Sequence, residues 1–334
     1  MRQGKMLPWM PSWVGAIVPM KGGYTLEDRR VAVLAFALLV FFWGSVWGAI
    51  KIGLEYAPPL LFAGTRMLIC GAALTLVALV WGGQANVRDG WPVYLLLALF
   101  NVALFYGLQT LAVLFMPSGT AAVVVYLQPI LVGVLSYPVL GEALSAAKVV
   151  GLLLGFSGVV VVSAGSLSGA SLGTPLGVAF GVVSAVSWAV GTVYFKRYAG
   201  RLPLLWAVGG PFVLGGVCIT GLGLALEGPY GITWTGTFVA SLLYISLVGT
   251  ALAWVLWLGL IRAGEASRVA AYVFLVPLVA VILGALFLDE TVGPSLLVGA
   301  ALVVSGIYLV NRRGERPDRG TRGEGEETSD GHPR

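Results

Sequence analysis

The sequence predicts an all-α polytopic membrane protein whose ten transmembrane helices form two inverted repeats of five helices. Three observations predict this fold: the composition, ten apolar blocks of membrane-spanning length, and residue types that recur between the two halves. Hydrophobic residues occupy 58% of the 334 positions and charged residues only 10%, whereas a soluble domain carries roughly 25% charged residues. A water-soluble core cannot absorb that much apolar surface, so the composition predicts insertion into lipid.

Blocks with few or no charges recur along the chain, each close to the ~20 residues that a helix needs to cross about 30 Å of hydrocarbon. The predicted spans are residues 31–51, 59–81, 92–114, 117–140, 147–164, 175–195, 203–226, 235–260, 269–288 and 293–310. Turn-forming residues separate them, as in Ala57-Pro58-Pro59. Residues 1–30 are expected to form an N-terminal cytoplasmic segment, and residues 312–334 a disordered cytoplasmic tail.

The N-terminal segment contains an apolar patch from Leu7 to Met20. Prolines interrupt the patch, which is too short to span a membrane and lacks a clear small-residue cleavage site, so it is a poor signal peptide. Because the membrane pattern begins only after Arg30, translation from Met20 instead of Met1 is a hypothesis that the intact mass of the native protein would test.

Basic residues collect on one side of the predicted membrane. That side carries Arg29, Arg30, Arg88, Lys148, Lys196, Arg197, Arg201, Arg262, Arg268, Arg312 and Arg313, whereas the opposite side has only Lys51. Because Lys and Arg favour cytoplasmic loops, we expect a multi-pass protein of the cytoplasmic (inner) membrane with both termini in the cytoplasm. The net charge of +5 does not indicate nucleic acid, since the basic residues stand singly between apolar blocks.

Two constant offsets relate the halves of the chain. An offset of 145 residues aligns Trp43 with Trp188, Lys51 with Lys196, Pro58 with Pro203, Gly64 with Gly209 and Gly71 with Gly216. An offset of 148 residues aligns Pro129 with Pro277, Glu142 with Glu290, Gly151 with Gly299 and Gly158 with Gly306. Residues 31–165 and 174–311 are therefore predicted to be two copies of one five-helix repeat. Because five is odd, the second copy enters the membrane from the opposite side, an arrangement that supports alternating access to a site at the midplane.

Several of these segments resemble a known family. They are Phe42-Trp43-Gly44-Ser45, Lys51, Pro58-Pro59-Leu60 and Phe62-Ala63-Gly64-Thr65-Arg66, together with Gly141-Glu142 and Asp289-Glu290 at the ends of the fourth and ninth spans. They resemble the motifs of EamA-type transporters of the drug/metabolite transporter superfamily. The resemblance covers residues 31 to about 311. It implies ten helices in two inverted halves, helices 1, 3, 4, 6, 8 and 9 around a cavity, and transport of metabolites, but it names no substrate.

Trp43, Trp47 and Lys51 share one face of helix 1, because they are spaced four residues apart. One interpretation is an aromatic wall that leads to a cation and suits amphipathic or anionic solutes. The other is packing of the Trp side chains near an interface, with Lys51 extended toward water. Trp188 and Lys196 repeat the pattern in helix 6, and this recurrence favours the interpretation as an aromatic wall that leads to a cation.

Arg66 lies about a third of the way into helix 2, where a charged side chain costs roughly 2.5–3.5 kcal/mol on insertion scales. Two arrangements would offset this cost. Arg66 faces a water-filled cavity and binds a carboxylate, or it pairs structurally near the outer surface.

Further candidates for the substrate cavity are polar and aromatic residues of helices 3, 4 and 8. They are Tyr106, Gln109, Tyr126, Gln128 and Trp254. Buried polar groups need partners, so these side chains either line the cavity or hydrogen-bond between helices. Pro129 and Pro277 fall in the middle of helices 4 and 9, where each removes a backbone hydrogen bond. We expect them to be hinges or static kinks.

No catalytic, metal-binding or cofactor-binding pattern emerges from the sequence. Gly155-Phe156-Ser157-Gly158 matches a rhomboid-like serine protease motif, but the one histidine, His332, falls in the predicted tail, so the motif lacks a base. There is no metal-ligand cluster and no Gly-rich phosphate loop with Lys.

The sequence therefore predicts a secondary transporter or facilitator for small metabolites, such as amino acids or related amphipathic compounds, and not an enzyme. The expected partners are a small-molecule solute and membrane lipid, without cofactor, metal or nucleic acid, and the protein is expected to be a monomer or a homodimer. The resemblance favours efflux. The charge-free stretches contain no carboxylate, which argues against proton coupling. Uniport and coupling through Glu142 or Glu290 at the helix ends are the open alternatives. The alternative is a membrane enzyme or lipid-handling protein without solute transport.

Overall fold

The computed structural model describes residues 26–116, 118–167, 174–229, 231–287 and 293–312, and its regular structure within these ranges is helical. We label the helices α1 to α10 in chain order and treat segments separated by no more than two residues, without a change of membrane span, as one helix. Their bounds are α1 Leu26–Leu54, α2 Pro59–Trp81, α3 Val87–Leu97 with Ala98–Leu104 and Phe105–Phe115, α4 Ser118–Val125 with Gln128–Leu140, α5 Ala146–Leu167, α6 Pro175–Tyr198, α7 Leu204–Leu226, α8 Gly236–Tyr244 with Ile245–Leu252 and Ala253–Ala263, α9 Ala266–Ala271 with Tyr272–Phe274 and Leu275–Phe287, and α10 Ser295–Asn311. The predicted C-terminal tail beyond residue 312, most of the predicted N-terminal segment, and Glu290 lie outside the described ranges.

Within the described ranges, eight helices, α2 to α9, are long and apolar enough to cross a membrane. Helices α1 and α10 contain shorter apolar stretches, Arg30–Val46 and Ser295–Asn311. Large apolar side chains such as Leu79 and Leu297 are exposed on the outside of the bundle, where lipid would cover them. The protein is thus an all-helical, multi-pass membrane protein, whereas the count of ten spans stays a prediction.

Four helices contain irregular turns near their middle. The segments Ala98–Leu104 of α3 and Ile245–Leu252 of α8 are π-helical, a rare geometry that is often found at functional sites. Helix α4 is interrupted at residues 126–127, and α9 contains the 3-10 turn Tyr272–Phe274. The irregular turns therefore occur at corresponding places in the two halves of the chain.

Pro129 and Pro277 lie near the middle of α4 and α9, and each comes just after an irregular turn. Pro129 is the second residue of the segment Gln128–Leu140, and Pro277 is the third residue of Leu275–Phe287. In a first helical turn, proline lacks only an N–H group that has no intrahelical partner in any case. The irregular turns therefore come just before the prolines.

Helices α2 and α7 pack antiparallel, and glycines allow their backbones to approach closely. Gly64 lies against Thr220 and Gly71 against Val213. A later residue of α2 therefore contacts an earlier residue of α7, as antiparallel packing requires. A Cβ atom on either glycine would come within 3.0 Å of backbone atoms of the partner helix. The reciprocal contacts place Gly209 of α7 against Thr75, and Gly216 against Leu68.

Helices α5 and α10 pack in the same manner. A Cβ atom on Gly151 would stand 2.6 Å from the carbonyl oxygen of Gly306, and one on Gly158 would stand 2.7 Å from that of Gly299. Small residues drive such contacts in membranes, because lipid tails remove the hydrophobic advantage of burying larger side chains. The two helix pairs α2–α7 and α5–α10 thus join the first half of the chain to the second.

Replacement of Gly158 by Ala should destabilise the α5–α10 contact, because the added methyl group would overlap backbone atoms that cannot rotate away. We expect a loss of about 1–3 kcal/mol, measured as a lower midpoint of thermal unfolding in detergent. Gly221→Ala in α7 is the matched control, since a Cβ atom there meets no atom within 4 Å. Equal midpoints for the two variants would show that close packing at Gly158 does not stabilise the fold.

Candidate functional site

A narrow cleft, which we call the central cavity, lies between helices α1, α2, α3, α4, α6 and α8. It is lined by Trp43, Val46, Ile50, Arg66, Phe105, Tyr106, Gln109, Val125, Tyr126, Trp188, Gly249 and Thr250. Its volume is about 70 Å³. The irregular turns border this cavity: Tyr106 follows the π-segment of α3, Thr250 lies within that of α8, and Tyr126 stands at the break in α4.

Six of the candidates chosen from sequence line the central cavity: Trp43, Arg66, Tyr106, Gln109, Tyr126 and Trp188. Trp254 lies behind Tyr106, and Gln128 is fully buried outside the cavity lining, with no hydrogen-bond partner for either amide atom among the described residues. The side chains of Trp47 and Lys51 lie outside what the structure describes. A solute-binding role for these residues stays a prediction.

Sequence reasoning missed several cavity residues, chiefly Phe105, Val46, Ile50, Val125 and Gly249. It selected polar side chains, Trp and Tyr, so aliphatic positions carried no signal in a chain where most residues are apolar. Phe105 could have been found, because it is an aromatic neighbour of Tyr106 in a span that was already a candidate.

Arg66 is the charged side chain in the described lining of the cavity. It is only 4% exposed, and its guanidinium carbon lies 4.9 Å from the centroid of the Tyr106 ring. Its Nε has no hydrogen-bond partner among the described residues, and neither of the described salt bridges includes it. The attraction between cation and ring offsets part of the cost of removing the charge from water. Of the two positions left open by the sequence, the structure places Arg66 at the cavity.

Six rings from α1, α3, α6 and α8 form an aromatic cluster: Trp43, Phe105, Tyr106, Trp188, Trp254 and Trp257. Trp43 stands edge-on to Trp188 with ring centroids 5.4 Å apart, and Phe105 stacks on Trp188 at 4.9 Å. Edge-on and offset arrangements are the favourable ones for aromatic pairs. The cluster therefore forms a well-packed wall of the cavity.

One hydrogen bond fixes the ring on which Arg66 rests. The indole N–H of Trp254 donates to the hydroxyl oxygen of Tyr106 at 2.7 Å, and both side chains are buried. A buried indole N–H that lost this acceptor would remain unpaired. Trp254 thus orients Tyr106 and, through it, the guanidinium group.

A second space, which we call the vestibule, has a volume of about 880 Å³ and is lined by residues of α1, α4, α6, α9, α10 and the α8–α9 connection. On α1, Phe36 of the vestibule and Trp43 of the aromatic cluster are two helical turns apart, about 10 Å along the axis. On α8, Trp257 lies between Thr250 of the cavity and Ala263 of the vestibule. The aromatic cluster therefore separates the two spaces.

Charged side chains at the vestibule bind the ends of neighbouring helices. Glu142 accepts hydrogen bonds from the backbone N–H groups of Ala266 and Ser267, at 2.6 and 3.0 Å, where α9 begins. Lys196 donates from Nζ to the carbonyl oxygen of Gly264 at 2.6 Å, where α8 ends. Both charges have the sign that complements the helix dipole. The Glu142 contacts join the two halves of the chain at this end of the bundle, whereas the Lys196 contact lies within the second half.

Glu265 pairs with two cations beside the same helix end. Its Oε2 lies 2.9 Å from Nζ of Lys148 and 2.7 Å from Nε of Arg268. Partial burial raises the pKa of the Glu265 carboxyl group, but the hydrogen bond and charge of Lys148, together with Arg268, lower it by more, so the net pKa is below its usual value. The carboxylate is therefore held in its charged form.

The bundle is that of a multi-pass membrane protein with an internal cavity lined by aromatic and polar side chains. The sequence pattern of the EamA-like transporter family matches residues 30–164 and 175–312. The chain belongs to the EamA-like transporter family. It is therefore a multi-pass membrane protein of a transporter family.

Individual relatives agree with this assignment. The chain is 43% identical to the uncharacterized transporter YvbV of Bacillus subtilis (strain 168), over 86% of this chain and 93% of that protein. It is 31% identical to a protein named probable amino-acid metabolite efflux pump from Salmonella typhimurium, over 84% of this chain and 95% of that one. A solved crystal structure superimposes with a TM-score of 0.72 over 84% of this chain and 96% of its own, at 24% sequence identity. The last similarity concerns the fold alone.

Tyr106→Phe should destabilise the protein, because it removes the acceptor for the buried Trp254 N–H group. We expect the free energy of unfolding to fall by about 1–3 kcal/mol, measured by thermal or chemical unfolding in detergent. Tyr137→Phe is the control, since Tyr137 is exposed on α4. A Tyr106→Phe variant as stable as this control would mean that the hydrogen bond contributes nothing.

The Glu265 pairings should make stability sensitive to acid. Because the pKa of Glu265 is lowered by folding, its contribution is present above the unfolded carboxyl value of about 4.3 and is lost as pH falls through the lower folded value. Glu265→Gln should therefore lower stability at pH 7 and flatten its dependence on pH below about 4.3. Glu55→Gln, at an exposed position, is the control. Parallel stability curves for wild type and Glu265→Gln across this range would contradict the coupling.

Proposed function

We propose that the protein is a secondary transporter or facilitator that moves small metabolites across the cytoplasmic membrane by alternating access. The observation that carries this proposal is the central cavity, which lies among six helices and is separated from the vestibule by the aromatic cluster. A solute in such a cavity can reach the vestibule only if the cluster rearranges. The irregular turns of α3, α4, α8 and α9 supply places where helices can bend without losing further backbone hydrogen bonds.

The proposal includes ten spans in two inverted halves, residues 31–165 and 174–311, with both termini in the cytoplasm. Reciprocal contacts support it. The contact of Gly64 with Thr220 recurs as that of Gly209 with Thr75, which is what a two-fold relation at an offset of 145 residues requires. Inverted halves can exchange conformations and so expose one site to either side.

The substrate class of this proposal is amino acids or related amphipathic metabolites, carried outward. The name of the relative from Salmonella typhimurium, a probable amino-acid metabolite efflux pump, supports this class. The cavity is compatible with amphipathic solutes, because it combines aromatic rings with the polar groups of Arg66, Gln109 and Thr250. Pro129 and Pro277 are proposed as hinges, and the aromatic and polar candidates as the binding residues.

Counterflow in proteoliposomes tests the transport function. Vesicles that contain the purified protein and are loaded with an unlabelled solute should transiently accumulate the same labelled solute from outside. A panel of amino acids and their metabolites identifies the substrate. A membrane enzyme or lipid-handling protein would show no counterflow with any solute, and that result would contradict the proposal.

Pro129→Ala should slow transport more than it weakens binding. Alanine supplies the N–H group that proline lacks and removes the ring that prevents α4 from continuing through residues 126–127, so the break should stiffen. We expect the counterflow rate to fall several-fold while the Kd of the solute changes little. Pro138→Ala is the control, because Pro138 lies in the same helix but is exposed and remote from the break. Equal rates in the two variants would remove Pro129 from any hinge role.

A further inference from the structure

We infer that Arg66 binds the anionic group of the transported solute, so that the substrates are small molecules with a carboxylate or similar anionic group and an apolar or aromatic body. This inference rests on the proposed transport function and narrows it to one charge class. It follows from the charge balance of the central cavity, from the way in which Arg66 is held, and from the side chains around it.

The charge balance calls for an anion. Arg66 is almost completely buried, and the described salt bridges do not include it. No Asp or Glu occurs among the described residues that line the cavity. A buried guanidinium group without a counter-charge is unfavourable, because the ring of Tyr106 replaces only part of the lost hydration. A solute carboxylate would supply the missing charge.

Arg66 is also held in place for such a contact. The Tyr106 ring lies 4.9 Å from the guanidinium carbon, and the Trp254 N–H group fixes the Tyr106 hydroxyl. A planar guanidinium group presents parallel N–H donors that fit the two oxygens of a carboxylate. The Nε group lacks a hydrogen-bond partner among the described residues, so donor capacity remains for a ligand.

The neighbouring walls define the rest of the solute. Trp43, Phe105 and Trp188 line the same cavity and contribute aromatic ring surface. Such a surface accepts an apolar or planar body, whereas a cationic solute would meet the like charge of Arg66. The cavity thus selects for an anionic head and against a cationic one.

Three compounds with the same body test the charge class: 3-phenylpropionate, 3-phenylpropionamide and 3-phenylpropylamine, which carry charges of −1, 0 and +1. Binding to the purified protein is followed by tryptophan fluorescence and thermal shift, and exchange by counterflow. We expect the acid to bind at least about tenfold more tightly than the amide, because a charge-assisted pair is lost in the amide. The amine should bind more weakly still.

Arg66→Gln should abolish the preference for the acid. Arg201→Gln is the matched control, since Arg201 is an exposed arginine that also lies over a tyrosine ring, and it should keep the preference. If the Gln variant does not fold, Arg66→Lys replaces it. That variant keeps the charge without the planar group, and it should bind the acid about tenfold more weakly than wild type but still prefer it to the amide.

Equal binding of acid and amide by the wild type, or an unchanged acid preference in Arg66→Gln, would overturn the inference. The same holds if the wild type exchanges only solutes that lack an anionic group, and the transport function would then stand without the anion site. If no solute of any charge is exchanged, the transport function itself fails, and the inference fails with it.

Discussion

Close contact between glycine-bearing helix faces is the interaction on which the rest of the architecture depends. Lipid gives little reason for apolar helices to associate, so association relies on close packing of backbones. Gly64 and Gly71 provide it between α2 and α7, and Gly151 and Gly158 between α5 and α10. Because these two pairs tie the halves together, helices α1, α3, α4, α6 and α8 can leave space between one another and α2. The central cavity lies in that space.

The chemistry of the cavity opposes stability, which supports the proposed binding site there. Arg66 is buried without a described ionic partner, and the helices around it depart from regular geometry. At the vestibule, by contrast, charged side chains have partners. Glu142 and Lys196 bind helix ends, and Lys148 pairs with Glu265. Proteins tend to keep unfavourable local features at sites of function. Among the described residues, the charge at the cavity is unpaired and the charges at the vestibule are paired. This difference is consistent with the proposed binding site in the cavity, on one side of the aromatic cluster.

Composition and residue spacing were enough to predict the membrane class, and short motifs that resemble those of EamA-type transporters indicated the family. Those signals are local or additive, so they can be read without knowing the fold. Six of the candidate side chains meet at one cavity. The sequence did not predict the π-segments, the irregular turns before Pro129 and Pro277, or the place of Phe105 in the cavity. Nearly every position in a membrane helix is apolar, so hydrophobic periodicity no longer marks the face that points into the bundle. The partner of Glu142 at Ala266 depends on tertiary contact between distant segments.

The most direct test of alternating access is the reactivity of a cysteine placed at Thr250, in a chain whose Cys70 and Cys218 are replaced by alanine. A thiol reagent that cannot cross membranes is applied to right-side-out and inside-out vesicles. A cavity that opens to each side in turn predicts modification from both faces, at rates that saturating solute changes. Modification from one face alone under all conditions, or from neither, would contradict a shared central site.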